Sequence, residues 1–277
     1  MNVVVISCYK GGVGKSSVST ALSAALAERE GRRVCVLDLD PQASQSSALR
    51  VRPEPGKTLA EVLRTVDLDA DDPRKVTLRD IIVKTSIDNL DLAPSLDTLG
   101  PAAAELAAND PTCQQLAEAL ESLRGIYTDI VIDTPTPISP LGTMALVAGT
   151  QLIVPTSPAS EGARRALQTI ERARKVQGDG KRGLNPGLVI LGVLPTQVPA
   201  NTVFARDILA SLGKRANLIS PSVPRTTAAP EATAAGVSIL EWTKNEPADS
   251  APARVAAAYR SLADLVIETA AEKEEVA

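Results

Sequence analysis

A glycine-rich turn near the amino terminus is the feature that most constrains the fold of this chain. Residues 10–17 read KGGVGKSS and lie three residues beyond the short apolar stretch of residues 3–6. Beyond the turn, apolar residues recur at helical spacing over residues 18–26, and this pattern ends near Gly31. A strand, a glycine loop with Lys-Ser and an amphipathic helix in this order are typical of a phosphate-binding loop. The segment therefore predicts a nucleotide site beside the first strand of an α/β fold.

The residues of this loop have distinct predicted tasks. Lys15 is placed to contact the β- and γ-phosphates, Ser16 to ligate Mg²⁺ and Ser17 to donate to the α-phosphate. The predicted cofactors are therefore ATP and Mg²⁺. The loop departs from the usual pattern because Tyr9 stands where its first glycine is expected, and because Lys10 adds a second positive charge. We expect the phosphate-binding part of the site to comprise Lys10, Gly11, Gly12, Val13, Gly14, Lys15, Ser16 and Ser17.

The apolar runs of the sequence predict the rest of the fold. They lack alternation of apolar and polar residues, as expected for parallel strands that are covered by helices on both faces. We therefore predict a doubly wound α/β fold with a mostly parallel sheet, as in P-loop NTPases. A single domain is expected over residues 1–277, with an elaborated crossover at 51–90 and a terminal helix and tail at 252–277. The predicted strands are residues 3–6, 34–37, 130–132, 152–154 and 188–191.

Composition excludes several kinds of chemistry. Aromatic residues make up only 2% of the chain, so stacking platforms for single-stranded nucleic acid are not expected. Histidine is absent, and acid–base chemistry near neutral pH must use carboxylates, lysines or water. Cys8, Cys35 and Cys113 are scattered and read as buried, inert thiols. No signal-peptide pattern or membrane-length apolar run is evident, which predicts a cytoplasmic protein.

Three aspartates follow predicted strands. Asp38 and Asp40 lie in VLDLDPQAS, and Asp133 lies in IVIDTPTP. Carboxylates at the carboxyl ends of neighbouring parallel strands point into the crevice where such sheets bind ligands. Asp133 is placed to hold Mg²⁺ through water, with Asp38 behind it at the same metal site, and Asp40 to orient an attacking water. The alternative is that these carboxylates cap the turns that follow them.

Positive charge is concentrated in one part of this acidic protein. Between Glu161 and Arg225 there are eleven basic and four acidic residues, although the whole chain has a net charge of −4. Two interpretations remain open, namely solvated helix faces or a footprint for a nucleic-acid backbone. The candidate DNA contacts are Arg164, Arg165, Arg172, Lys175, Lys214, Arg215 and Arg225.

Four motifs in order, KGGVGKSS, DLDPQAS, IDTP and VPRTTAAPEATAAGVSIL, resemble the ParA family of deviant Walker-A ATPases, which position plasmids, chromosomes and other cargo in bacteria. The resemblance covers residues 2 to about 265. It implies that Lys10 reaches across a two-fold interface to the phosphates of a partner subunit, and that Gly12 is where the two loops approach. It also implies a catalytic role for Lys10, Lys15 and Asp40, and a magnesium role for Asp133.

The later motif matches the stretch that passes the adenine in relatives, at Pro224 and Arg225, with Glu231, Ala232 and Gly236 in register. Pro155 and Gly162 also fit the family pattern. Relatives that bind chromosomal DNA often carry arginines at two positions that read Asn201 and Ala228 here.

The resemblance implies an ATP-bound sandwich dimer that binds duplex DNA without sequence preference, and hence a nucleoid-associated protein. A ParB-like partner, offering a short basic segment, would stimulate slow hydrolysis and return the dimer to monomers. Because the chain begins at its first strand, we do not expect a helix-turn-helix or operator binding.

Several alternatives remain. A MinD-like ATPase that cycles on membranes needs a basic C-terminal helix, whereas residues 252–277 carry a net charge of −2. An iron–sulfur carrier needs a cysteine cluster, which the three scattered cysteines do not supply. A metabolic P-loop ligase or kinase is disfavoured by Lys10 and by the lack of an evident acid–base site. The cargo, whether plasmid, chromosome or protein assembly, is chosen by the partner.

Overall fold

Parallel strands carry the loop and the aspartates to one edge of a central sheet. The computed structural model describes residues 1–109, 113–135, 139–178, 183–200 and 202–276. In this part of the chain the sheet has seven strands, in the spatial order β3-β4-β2-β5-β1-β6-β7. The strands are β1 Asn2–Ile6, β2 Val34–Asp38, β3 Val83–Lys84, β4 Leu90–Ala93, β5 Asp129–Asp133, β6 Gln151–Thr156 and β7 Val189–Pro195.

The strand pairing confirms the predicted fold class. All pairs are parallel except β3 with β4, which are antiparallel at the edge of the sheet. The five predicted runs are the strands β1, β2, β5, β6 and β7, with β7 longer at its end than expected. The strands β3 and β4 were not predicted, and β3 lies inside the segment 51–90 that we read as a crossover.

Helices cover both faces of the sheet. Alternate residues of β1 divide between two apolar cores: Val3 and Val5 join one, and Val4 and Ile6 join the other. The first core is closed by α3, α5, α6, α7 and α8, and the second by α1, α10, α11 and α12. The helices are α1 Lys15–Ala27, α2 Ser44–Ala48, α3 Leu59–Thr65, α4 Leu78–Ile81, α5 Leu99–Asn109, α6 Gln115–Leu120, α7 Pro140–Ala148, α8 Ser160–Gln177, α9 Val203–Gly213, α10 Ala228–Ala235, α11 Ile239–Trp242 and α12 Ala251–Val276.

The sequence explains where α3 begins and which face of α12 is buried. Thr58 and Glu61 form a capping box that begins α3. The Thr58 side chain accepts a backbone N–H from the first turn of the helix, and the Glu61 side chain accepts the backbone N–H of Thr58. The long helix α12 packs against α1, with Tyr259, Leu262 and Val266 buried. Within the described ranges, no helix is both long and apolar enough to cross a membrane.

Candidate nucleotide-binding site

The glycine loop connects the end of β1 to the start of α1. Gly12 and Gly14 have φ values of 72° and 84°, in the left-handed region that favours glycine, and Gly14 is the N-cap of α1. Gly11 and Gly12 are exposed, and a Cβ added at either would meet no atom within 4 Å. Val13 is buried and holds the loop to the core. The loop therefore presents an open face above a fixed base.

Polar side chains from other elements fix the orientation of this loop. The Thr196 Oγ1 donates to the Val13 carbonyl at 2.8 Å, and the Gln197 Nε2 donates to the Gly12 carbonyl at 3.0 Å. The Tyr9 N–H donates to the Thr169 Oγ1 of α8 at 3.1 Å. The loop's carbonyl oxygens are thus engaged at its base. Sequence reasoning missed these anchors, because they come together only when β7 and α8 pack against the loop.

The two lysines of the loop lie at its ends. Both side chains are half-buried, and neither forms an ion pair or a side-chain hydrogen bond with any residue that the structure describes. Lys15 is nevertheless close enough to Asp133 that its charge lowers the pKa of that carboxyl. Lys10 lies beside the exposed Gly11 and Gly12. Two positive charges therefore border the loop, and among the described residues neither is held in an ion pair.

Asp133 lies at the end of β5, fully buried behind the start of α1. Its Oδ1 accepts from the Ser19 Oγ at 3.1 Å and its Oδ2 from the Gln45 Nε2 at 3.0 Å. Burial raises the pKa of Asp133, and hydrogen bonds from Gln45, Ser16 and Ser19 partly offset that effect. The predicted pair of Ser16 and Asp133 is therefore brought together at one point.

Asp38 lies next to Asp133 across the paired strands β2 and β5. Its Oδ2 accepts from both the backbone N–H and the Oγ of Ser46, each at 2.9 Å. Its Oδ1 is buried and has no hydrogen-bond partner in the described structure. Burial raises the pKa of Asp38 to about 7, and repulsion from Asp133 and Asp40 adds to the rise.

These carboxyl groups fit the predicted magnesium ion. Two neighbouring buried carboxyls with raised pKa values, one of them with an unpaired oxygen, lie where a positive charge would stabilise both. The Ser16 hydroxyl supplies an oxygen of the kind that Mg²⁺ accepts, and Mg²⁺ keeps several waters, so few protein ligands are needed. Ser16, Asp38 and Asp133 are therefore a chemically suitable set.

Gln45 joins the parts of this site and was not predicted. It is fully buried, and its Nε2 donates to the Ser16 carbonyl at 2.8 Å as well as to Asp133. Its Oε1 accepts from the Thr20 Oγ1 at 2.7 Å. Gln45 lies in the DPQASQS stretch that follows β2, so only its proximity in sequence to Asp40 could have suggested a role.

Asp40 is half-buried at the start of the turn after β2. Its Oδ1 accepts from the Gln42 N–H at 3.0 Å, as the turn-capping alternative expects. Its backbone carbonyl accepts from the Ser95 Oγ at 2.7 Å and the Ala43 N–H. The turn that carries Asp40 is therefore held in place by a backbone hydrogen bond within the turn and by Ser95, which follows β4.

A cavity of about 700 Å³ opens beside the loop, with Gly14 and Ser17 in its wall. The predicted adenine residues Pro224 and Arg225 line it, and so does Tyr259 of α12. The wall contains the apolar surfaces that a purine ring needs. Further lining residues are Thr196, Gln197, Val223, Thr226, Thr227, Ala229, Pro230, Glu231 and Val255. Arg225, which the sequence offered for both nucleotide and DNA, is thus at the nucleotide cavity.

The other basic residues predicted to contact DNA divide between two sides of α8. Arg165, Arg172 and Lys175 line a pocket of about 490 Å³ together with Tyr9. Arg164 and Arg215 border a groove of about 730 Å³ between α8 and α9, together with Arg174, which was not among the predicted contacts.

The remaining positions of that prediction lie elsewhere. Lys214 is exposed at the end of α9. Ala228, where relatives often have arginine, is buried at the start of α10, and Asn201 lies outside the described residues.

The chain is similar in sequence to a known protein family and to a curated relative over most of its length. A family model described as an AAA domain (AAA_31) matches residues 1–182. The chain is 32% identical over 269 residues to the chromosome-partitioning ATPase Soj of Thermus thermophilus, covering 95% of this chain and 94% of that protein.

Two solved structures are similar over nearly the whole chain. The septum site-determining protein MinD of Pyrococcus horikoshii, complexed with Mg-ADP, superposes with a TM-score of 0.71 at 25% identity over 98% of each chain. Cobyrinic acid a,c-diamide synthase of Mycobacterium smegmatis, with bound ADP and magnesium, gives a TM-score of 0.73 at 28% identity, covering 95% of this chain and 93% of that one.

Proposed function

This chain belongs to the ParA family of ATPases, and from that premise we propose that it is an ATP-driven positioning switch. In its ATP-bound state two subunits form a sandwich dimer that binds duplex DNA without sequence preference. A ParB-like partner carrying the cargo stimulates hydrolysis, and the dimer then dissociates and leaves the DNA. The protein acts in the cytoplasm, on the nucleoid.

One observation carries this proposal. Lys10 lies on the open face of the loop, beside exposed glycines, and makes no ion pair or side-chain hydrogen bond within the described ranges. An unpaired cation next to a phosphate site is well placed to act on the phosphates of a second subunit that approaches this face. A positive charge delivered there would stabilise the charge that develops on the transferred phosphoryl group.

The site residues have separable tasks in this mechanism. ATP with Mg²⁺ supplies the phosphoryl group and neutralises part of its charge. The backbone N–H groups of the loop and Lys15 would bind the phosphates, while Ser16, Asp133 and Asp38 would hold the metal. Lys10 of the partner subunit adds charge to the phosphates, and Asp40 orients the attacking water.

The base and the DNA are assigned to different surfaces. Pro224, Arg225 and the rest of their cavity would hold the adenine, because that cavity adjoins Gly14 and Ser17. Cations on one side of α8 would contact the DNA backbone, because such binding requires summed charge on one face and not particular identities. Two alternatives from the sequence resemblance remain as further candidates, a MinD-like membrane-cycling ATPase and a positioning ATPase for a protein cargo. The acidic α12 disfavours the first.

The test is the mass of the protein in solution with ATP, with ADP and without nucleotide, followed by its retention of arbitrary-sequence duplex DNA across a salt series. We expect a dimer and DNA binding only with ATP, with binding that weakens steeply as salt rises. Dimerisation without DNA binding would favour a membrane or a protein scaffold as the matrix. A monomer in all three states would contradict the proposal.

Gly12→Val provides the matching variant. Its side chain would occupy the face where the second loop approaches, so we expect no ATP-dependent dimer. Because Gly12 has a φ of 72°, valine there also strains the loop. Nucleotide binding by the monomeric variant must therefore be measured, and it separates a blocked interface from a damaged loop.

A further inference from the structure

Tyr9 connects the phosphate loop to a pocket on α8. Tyr9 is the residue before Lys10, and its N–H donates to the Thr169 Oγ1 in the middle of α8. Its side chain is half-buried and lines a pocket of about 490 Å³ whose other walls are Arg165, Gln168, Glu171, Arg172 and Lys175. Nothing in the proposed nucleotide chemistry uses this pocket. It combines three cations with one carboxylate at the edge of the loop.

Arg172 is the fixed member of these three cations. Its Nη2 donates to the Thr143 Oγ1 of α7 at 3.0 Å, and the side chain is half-buried. No carboxylate pairs with it in the part of the chain that the structure describes. A neutral partner orients the guanidinium without cancelling its charge, so it is already arranged to bind an anion.

The other two cations are paired at the surface. Arg165 shares Glu161 with Arg164, and Lys175 pairs with Glu171 at 3.2 Å. Exposed pairs of this kind contribute little stability, and their cations exchange partners readily. An incoming phosphate could therefore draw Arg165 and Lys175 toward it at small cost, while Arg172 stays in place.

The chemistry of the pocket distinguishes it from the larger groove on the adjoining side of α8, although Gln168 and Glu171 border both. That groove has an apolar floor, formed by Ala163, Leu167, Ile170, Ile208 and Leu212. The walls of the Tyr9 pocket are polar or charged apart from the tyrosine ring. A DNA backbone presents phosphates and sugars without large apolar side chains, so it fits the pocket better than the groove.

We propose that the Tyr9 pocket, anchored by Arg172, is the site where a backbone phosphate of duplex DNA binds beside the phosphate loop. This inference rests on the proposed function and assigns the DNA contact to one side of α8. Arg174, two residues on, projects roughly 200° around the helix from Arg172. It borders the groove and provides a matched control in the same helix.

The experiment compares Arg172→Ala with Arg174→Ala in the ATP state, measuring affinity for an arbitrary-sequence duplex over a series of salt concentrations. Loss of one phosphate contact should weaken binding by roughly tenfold near 0.1 M salt and reduce the slope of log K against log salt by about 1. We expect that effect from Arg172→Ala and a much smaller one from Arg174→Ala. ATP-dependent dimerisation of each variant confirms that the switch itself is intact.

The outcomes separate this inference from the proposed function. Equal losses in the two variants, or a larger loss in Arg174→Ala, would overturn the assignment while leaving DNA binding in place. A wild-type protein that binds no DNA in any nucleotide state would overturn both. A competition arm with inorganic phosphate excludes a site for free anions, since millimolar phosphate should not displace the duplex from the wild-type protein.

Discussion

Replacing Gln45 with alanine is predicted to damage the site more than its position in a short loop helix suggests. The side chain is fully buried and joins the Ser16 carbonyl, Asp133 and Thr20 through three hydrogen bonds of 2.7 to 3.0 Å. Two of them are to uncharged groups and contribute about 1 kcal/mol each, and the bond to the carboxylate contributes about 2 kcal/mol. The expected loss is therefore about 4 kcal/mol of unfolding free energy.

The assay is urea unfolding followed by the fluorescence of Trp242, the single tryptophan of the chain. Gln42→Ala is the control, since Gln42 lies three residues earlier and its side chain is exposed. A loss of about 4 kcal/mol corresponds to a fall in Tm of roughly 10 °C for a chain of this size. If Gln45→Ala lowered the unfolding free energy no more than Gln42→Ala, Gln45 would not hold the metal side of the site together.

The remaining predictions concern the charged residues of the site. Lys15→Ala should abolish nucleotide-dependent dimerisation, and light scattering that still shows an ATP-dependent dimer would contradict it. Asp40→Ala should trap the ATP dimer, and normal turnover would remove Asp40 from catalysis; Asp40→Asn keeps an acceptor for the Gln42 N–H and separates hydrolysis from turn stability. For Asp38, burial raises the pKa from 3.8 to about 7 in the folded state, so the folded protein retains a proton that the unfolded chain releases. Its contribution to stability is therefore present below about pH 4 and is lost as the pH rises through about 7, by at most about 4 kcal/mol. Urea unfolding of nucleotide-free and magnesium-free protein should show a smaller decline in Asp38→Asn than in the wild type, since Asp133, whose pKa burial also raises, remains in the variant.

The sequence predicted those features that depend on short stretches of chain. The glycine loop, the following helix and the five apolar runs predicted as strands each carry a local pattern, and the aspartates stand at or just beyond the ends of two of those runs. The strand β4 was not predicted because LDLA is short and is interrupted by a polar residue. The strand β3 was not predicted because its two residues are too few to show a periodic pattern. Their pairing depends on the rest of the sheet.

The connections within the site depend on tertiary packing and could not be read in advance. Gln45 and Ser46 reach Asp133 and Asp38 only because the turn after β2 folds back over α1. The contact of Gln197 with Gly12 spans 185 positions of sequence. By contrast, the division of basic residues between two sides of α8 follows from helical periodicity, which alone would have separated Arg172 from Arg174.

The most direct test of the account is ATP turnover by a mixture of Lys10→Ala and Asp40→Ala subunits. In a mixed dimer, the site of the Lys10→Ala subunit keeps its own Asp40 and receives Lys10 from its partner. We therefore expect each variant to be inactive alone and the mixture to regain hydrolysis. If Lys10 acts on the phosphates of its own subunit, every site in the mixture lacks one residue, and a mixture as inactive as its components would contradict the sandwich dimer.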